Sequence, residues 1–551
     1  MSEPRRWLGA ALLVWMATVV AGIALRPILP VDEMRYLAVA LEMWQRGDFL
    51  VPYRNGEAYH HKPPVLFWAM QAGWAVFGVG DFWGRLVAPL FGLGSLVLAQ
   101  DLARRLFAGR TGTVAMTPLA LLACAYFLAF GSLTYFDTLV TFFALGAWIG
   151  IAVAWQGRPV AGWGLVALSL GLGILSKGPV QLVHVVPLAL LAPVWMTRDR
   201  PASWPRWYGG FALALLGGAV VALAWAVPAA ISGGEEFARK IFLGQHTGRV
   251  VRSFSHARPV WWYLPLLLGL LFPALWWLAP WRRLRGAAGL WREAGLRFAA
   301  VGGLSALVFF SSISGKQPHY MLPTFALFAL VLARLADRED TADRRADRIF
   351  PALGLAAIGI ALLGLRWIVA RVDKGAHAAA LTTEFAIAAA MFGVVCLAAA
   401  VWLWRDRPRP APARLFTIAL SCAGLVLGAN ISLHVLSPTF EMGPTVEALA
   451  EAERSGRRIA IVGSYGPDFY FAGELRRPIE GGMDPAGAVA WARANPQGVV
   501  VRTYARRGTP LPEDWPRPLH LGSHRGRAIA VWPAAEIGGA RGAELLSDTP
   551  P

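Results

Sequence analysis

Apolar residues run along this chain in stretches close to the length that crosses a hydrocarbon core. They fall at 7–26, 84–103, 113–131, 138–155, 161–176, 180–196, 208–232, 261–279, 298–313, 321–336, 349–370, 383–404 and 415–436. No self-similar period of 20–50 residues accompanies them, which counts against repeat architectures. The pattern predicts an all-α polytopic membrane bundle of about 13 transmembrane helices over 1–436. Two shorter patterns interrupt it in the loop 27–83. Glu33–Arg46 places Tyr36, Leu37, Ala40, Leu41 and Trp44 at helical spacing, and Val65–Phe77 is rich in Trp and Phe. Both read as helices at the membrane interface, a reading compatible with packing on the bundle. From 437 the pattern changes. Val446–Arg454 reads as an amphipathic helix, and Arg458–Gly463, Gly498–Arg502 and Ala528–Trp532 read as strands, so 437–551 is expected to be a small α/β domain.

Composition sharpens this picture. The 551 residues are 56% hydrophobic and 16% charged, against roughly 25% charged in soluble chains. That excludes a soluble enzyme and a disordered chain. The three cysteines, Cys124, Cys396 and Cys422, all lie in apolar runs, which argues against a disulfide scaffold or a cysteine metal site.

The net charge of +18 does not call for nucleic acid. Arg5/Arg6, Arg104/Arg105/Arg110, Arg198/Arg200/Arg206, Arg282/Arg283/Arg285, Arg344/Arg345/Arg348 and Arg405/Arg407/Arg409 all fall on one side of an alternating topology. The positive-inside rule makes that side cytoplasmic. The N-terminal run reads as a retained first span rather than a cleaved signal. An odd number of spans then places 437–551 outside.

Ionisable residues at a membrane boundary are costly unless paired, solvated or used, and five clusters fall on the predicted outer side. Asp32-Glu33-Met34-Arg35-Tyr36 follows the first span; its carboxylates suit chemistry and also suit a helix start. Tyr59-His60-His61-Lys62-Pro63-Pro64 holds a lysine on a proline-stiffened backbone. Asp137 sits in the short turn after Thr134-Tyr135-Phe136, where capping is the alternative. Lys177 precedes Gly178-Pro179. The fifth cluster joins Gln245-His246-x-x-Arg249 to Lys316-Gln317-Pro318-His319-Tyr320. Fixed cations suit a lipid phosphate. Carboxylates suit base catalysis or the binding of sugar hydroxyl and amino groups.

These motifs, in this order, resemble the lipid-linked-sugar glycosyltransferases of the GT-C fold. The likeness is strongest to the bacterial aminoarabinose (lipid A) transferase branch, related to the protein O-mannosyltransferases. The resemblance implies an inverting transfer from a polyprenyl (undecaprenyl) phosphate sugar at the periplasmic face of the bacterial inner membrane. The expected acceptor is a lipid A phosphate or another envelope glycan, and the expected sugar is 4-amino-4-deoxy-L-arabinose. Asp32, Asp137 and Glu33 are the candidate catalytic acids. Lys62, Arg35, Arg249 and Lys177 are candidates to hold the donor phosphate, and Tyr59, Lys316, His319 and Tyr320 to touch substrate. In this branch the position before the motif lysine is typically acidic and joins a histidine in a zinc site. Here it is His61, so a divalent metal would rest on His61 and His246. Transfer of another sugar to lipopolysaccharide core or to a protein hydroxyl is the alternative within the fold, and transport of lipid-linked sugars the alternative outside it.

Overall fold

A computed structural model describes the chain except residues 1, 30, 197–200, 202, 245–256, 338–342, 373–382, 436–441, 464–474, 508–513, 525–526 and 548–551. In chain order its first nine helices are α1 (Glu3–Leu25), α2 (Asp32–Arg46), α3 (Val65–Phe77), α4 (Asp81–Leu106), α5 (Thr111–Leu122), α6 (Ala125–Gly131), α7 (Phe136–Trp155), α8 (Pro159–Lys177) and α9 (Val180–Leu190). Among the described residues nine helices are long and apolar enough to span: α1, α4, α7, α8, Trp204–Phe242, Ala294–Ser312, Arg345–Leu363, Thr383–Arg405 and Ala411–Val435. The other four predicted spans form shorter apolar helices, namely α5 with α6, α9, Val260–Leu270 and Thr324–Ala336.

Two of those interruptions answer each other. Cys124 is extended between α5 and α6. The Ala125 N–H donates to the Phe272 carbonyl at 2.8 Å, and the Ala274 N–H donates to the Ala123 carbonyl at 3.1 Å. A backbone group facing lipid has no water to bond. The two breaks are therefore tolerated because they form a small bridge inside the protein.

The core of the bundle is α7, where 18 of 20 residues are buried. Its close partner α8 follows after only Gln156–Arg158. Small residues permit that approach, as in membrane bundles generally. A Cβ at Gly162 would stand 2.4 Å from the Ala154 nitrogen, and one at Gly150 would stand 2.7 Å from the Gly162 carbonyl oxygen. At the arginine-rich end, Asp343 is buried between Arg348 at 3.0 Å and Arg414 at 2.8 Å. Asp406 accepts from Arg409 and Arg414. This ion network ties together the starts and ends of three spanning helices.

The C-terminal region carries β3 (Ile459–Val462), β4 (Glu480–Met483), β5 (Val499–Arg507), β6 (His520–His524) and β7 (Arg527–Pro533) in the order β4-β3-β5-β7-β6. β3 is parallel to β4 and β5, whereas β7 is antiparallel to β5 and β6. The predicted α/β character is thus present. The chain divides into two compact units: 1–24, 60–360 and 392–429 in one, and 25–59, 361–391 and 430–551 in the other.

The two loop helices match their predicted extents closely. Of α2, however, ten of fifteen residues are buried, including Tyr36, Val39 and Leu41. Helix α2 is therefore largely packed within protein, an arrangement compatible with an interfacial helix. Helix α3 is set against α4, where the Trp83 indole donates to the Ala69 carbonyl at 3.2 Å.

Candidate active site

In the larger unit the site grows from the α7–α8 hairpin. Asp137 lies in the first turn of α7 and Lys177 is the last residue of α8. They stand nearly equal distances from the turn, so an antiparallel hairpin brings them level. Lys177 Nζ donates to Asp137 Oδ1 at 2.6 Å, with both side chains mostly buried. Asp137 therefore does not cap α7; its carboxylate belongs to the lysine. Gly178, with φ of 83°, turns the chain sharply into α9.

Aromatic rings surround this pair. The Lys177 ammonium lies 5.1 Å from the centroid of Tyr320. His319 stacks on Phe130 at 5.2 Å and meets Tyr320 edge-on at 5.0 Å. Lys62 Nζ stands 5.9 Å above the ring of Phe136, the neighbour of Asp137 in sequence. The structure thus gathers Lys62, Asp137, Lys177, His319 and Tyr320 in one neighbourhood. A cavity of about 200 Å³ opens beside them, lined by His60, His61 and Lys177 and walled by Trp225, Ile241 and Phe242. Such a space, cationic at one part and apolar elsewhere, suits the phosphate and first isoprene units of a lipid.

The smaller unit holds the first acidic cluster. Val31 precedes α2 and offers no side-chain cap, so Asp32 is not an N-cap. Its half-exposed carboxylate accepts from Arg35 at 3.2 Å. Glu33 behaves differently. It is fully buried, takes a bidentate pair from Arg26 at 2.5 and 2.7 Å, and accepts the Leu29 N–H at 2.9 Å. These bonds pin the turn between α1 and α2, a structural task that the sequence reading did not assign to Glu33. Tyr59 is buried, and burial pushes its hydroxyl up to about 12 against the opposing pull of Arg35.

Lys316 is buried too, and its ammonium donates to the carbonyls of Arg258 (3.0 Å) and Ile313. Burial lowers its pKa. Those contacts turn it onto the backbone rather than toward the Asp137 neighbourhood. His246 and Arg249 lie outside the described residues. His60 and His61 place their rings 4.1 Å apart. Among the described residues no three potential ligands converge on a metal, and two adjacent imidazoles fall short of a zinc donor set.

Sequence reasoning missed Arg26, whose role was signalled only by a cation seven residues before a buried acid. It also missed the stacked pair Tyr126 and Phe130, 5.4 Å apart, which the i, i+4 spacing on α6 announces.

Comparison with known proteins shows what this chain is similar to. The Dolichyl-phosphate-mannose-protein mannosyltransferase family model matches residues 61–230. An undecaprenyl phosphate-alpha-4-amino-4-deoxy-L-arabinose arabinosyl transferase of Erwinia tasmaniensis is 29% identical over 69% of this chain and 70% of its own. The like-named protein of Pseudomonas aeruginosa is 32% identical over 61% of this chain, and the match spans 60% of that protein's length. The crystal structure of ArnT from Cupriavidus metallidurans bound to undecaprenyl phosphate superposes with a TM-score of 0.72 at 22% identity, over 95% of this chain and 97% of that one. Its apo form gives 0.74. The chain has the GT-C fold. In sequence it is similar to proteins named as aminoarabinose arabinosyl transferases, and its nine long apolar helices among the described residues mark it as a multi-span membrane protein.

Proposed function

We propose that this chain is an inverting glycosyltransferase. It moves 4-amino-4-deoxy-L-arabinose from an undecaprenyl phosphate donor to a lipid A phosphate at the periplasmic face of the bacterial inner membrane. The observation that carries this reading is the cavity bounded by His60, His61 and Lys177 against an apolar wall. The names of the sequence relatives support the choice of sugar and donor. The six arginine-rich loops support the orientation.

In such a transfer an acceptor oxygen attacks the anomeric carbon, and the bond to the polyprenyl phosphate breaks. The phosphodiester carries one negative charge and leaves as a phosphate monoester, so negative charge accumulates on the leaving group. Fixed cations are the efficient response, because a preorganised donor need not reorganise as charge develops. Lys62 and Arg35 take that role in this proposal, with Lys177 at the cavity wall. A lipid A phosphate is already ionised and needs positioning rather than deprotonation. Asp32, paired but half-exposed, then orients the sugar and steadies positive charge on its ring; for a hydroxyl acceptor it would take the proton. Asp137 holds Lys177 and keeps its charge in place. His319 and Tyr320 shape the sugar side through ring contacts. A divalent ion, if the enzyme uses one, would draw on His61 and His246, and no step here depends on it.

The test is reconstitution of the full chain in nanodiscs with undecaprenyl phosphate aminoarabinose and lipid A, read by mass spectrometry. Lipid A gaining an aminoarabinose residue supports the proposal. Donor left intact, or sugar moved to a different acceptor, refutes it.

A further inference from the structure

Within the smaller unit, the side chain of Asn55 bonds the first loop to the C-terminal sheet. The short hairpin β1 (Tyr53–Arg54) and β2 (Glu57–Ala58) turns through Asn55 and Gly56, both at positive φ. Asn-Gly is the expected pair for such a two-residue turn, and turn formation alone would account for it. The amide of Asn55 nevertheless makes a second, distant attachment. Its Nδ2 donates to the Ile479 carbonyl at 2.8 Å, and its Oδ1 accepts the Ile479 N–H at 2.8 Å. A primary amide offers donor and acceptor together, so this side chain pairs with the Ile479 peptide as an antiparallel strand would.

Both ends of the attachment are firmly held. Ile479 is buried and leads directly into β4, where Glu480 takes Arg458 at 2.8 Å and the Trp491 indole at 2.7 Å. On the loop side, the Gly56 N–H donates to Glu42 of α2 at 2.8 Å, and Arg46 joins the same carboxylate oxygen at 3.0 Å. Gly56 also lies against Pro478, where an added Cβ would stand 3.0 Å from the proline ring. The Tyr59 N–H donates to the Pro52 carbonyl at 2.7 Å and closes the hairpin base.

We infer that Asn55 is a positioning residue through which the C-terminal α/β domain fixes α2 and Tyr59, and so sets where Asp32 and Arg35 stand during transfer. The inference rests on the proposed function for its kinetic part. Asn55 touches no substrate; it acts through Glu42 and the hairpin.

The full-length chain in nanodiscs tests it with Asn55→Asp and Asn55→Gly. Asp keeps the turn and the shape but loses the donor, and Gly keeps the turn and loses both bonds. Ile479→Pro removes the N–H from the other side. Hydrogen exchange of segments 53–59 and 476–483 is expected to quicken about tenfold in each variant, and kcat is expected to fall by a similar factor with the thermal midpoint of the bundle unchanged. Combining Asn55→Gly with Ile479→Pro is expected to lower kcat no further, the signature of one shared contact. Unchanged exchange overturns the attachment. Quickened exchange with unchanged kcat, or losses that multiply in the double variant, overturns its positioning role. Should the wild-type chain transfer no sugar, the proposed function fails, and the exchange measurement still decides the attachment.

Discussion

Lys177 reaches Asp137 across the mouth of the α7–α8 hairpin at 2.6 Å, with 13% and 5% of the two side chains exposed. Removing one partner of such a pair leaves a buried charge uncompensated, which typically costs about 3–5 kcal/mol. Lys177→Met and Asp137→Asn should each lower the thermal midpoint in detergent. The double variant Lys177→Met/Asp137→Asn should be more stable than either single one, because no charge is left behind. A double variant whose losses merely add would show that the pair contributes nothing as a pair.

Lys62→Ala should leave the protein folded and monodisperse while transfer falls by about a hundredfold or more, the usual effect of deleting one preorganised electrostatic contact. Lys62→Arg should recover part of the rate. Steady-state transfer with a saturating donor measures both, and near-normal turnover by Lys62→Ala would remove Lys62 from the phosphate-binding role.

The neighbours Asp32 and Glu33 should separate cleanly. Asp32→Asn keeps the bonding shape and loses the charge, so kcat should drop with the melting temperature almost unmoved. Glu33→Gln disturbs the buried bidentate pair with Arg26, so stability should fall by about 3 kcal/mol or more while folded molecules keep their turnover. Activity normalised to folded protein, measured beside thermal unfolding, distinguishes the two. Full activity in Asp32→Asn would end both of its proposed roles.

How much of this could be read beforehand depended on how far apart the interacting residues lie. Helix α3 begins and ends where the sequence reading put it, at Val65 and Phe77, because Pro63-Pro64 and Gly78 punctuate it locally. Asp137 and Lys177 were singled out separately; their pairing needs only the count of residues on each side of the turn at 156–158, and so was available. The break at Cys124 was not, since the Phe272 carbonyl that supports it is far along the chain. The same holds for Asn55 and Ile479, separated by 424 positions. Lys316 shows a different limit. A lysine in a polar loop looks like a ligand for substrate, and only the fold shows its ammonium turned onto two backbone carbonyls.

The ion network at the arginine-rich end makes a prediction about acid. The hydrogen bond from Arg409 holds the Asp406 carboxyl down at about 2, below its ordinary value of 3.8, with the Arg407 N–H and the charge of Arg414 acting in the same direction. A carboxyl whose folded pKa is depressed binds protons more readily when unfolded, so its contribution is complete above pH 4 and is lost as pH falls from about 4 towards 2. Thermal midpoints of the wild type and of Asp406→Asn should therefore differ most between pH 5 and 7 and converge as the pH approaches 2. High salt should narrow the gap only modestly, because Asp406 and Arg414 are largely shielded from solvent. A difference that is constant from pH 6 to pH 2 would mean that Asp406 acts through packing and hydrogen bonding alone, without its charge.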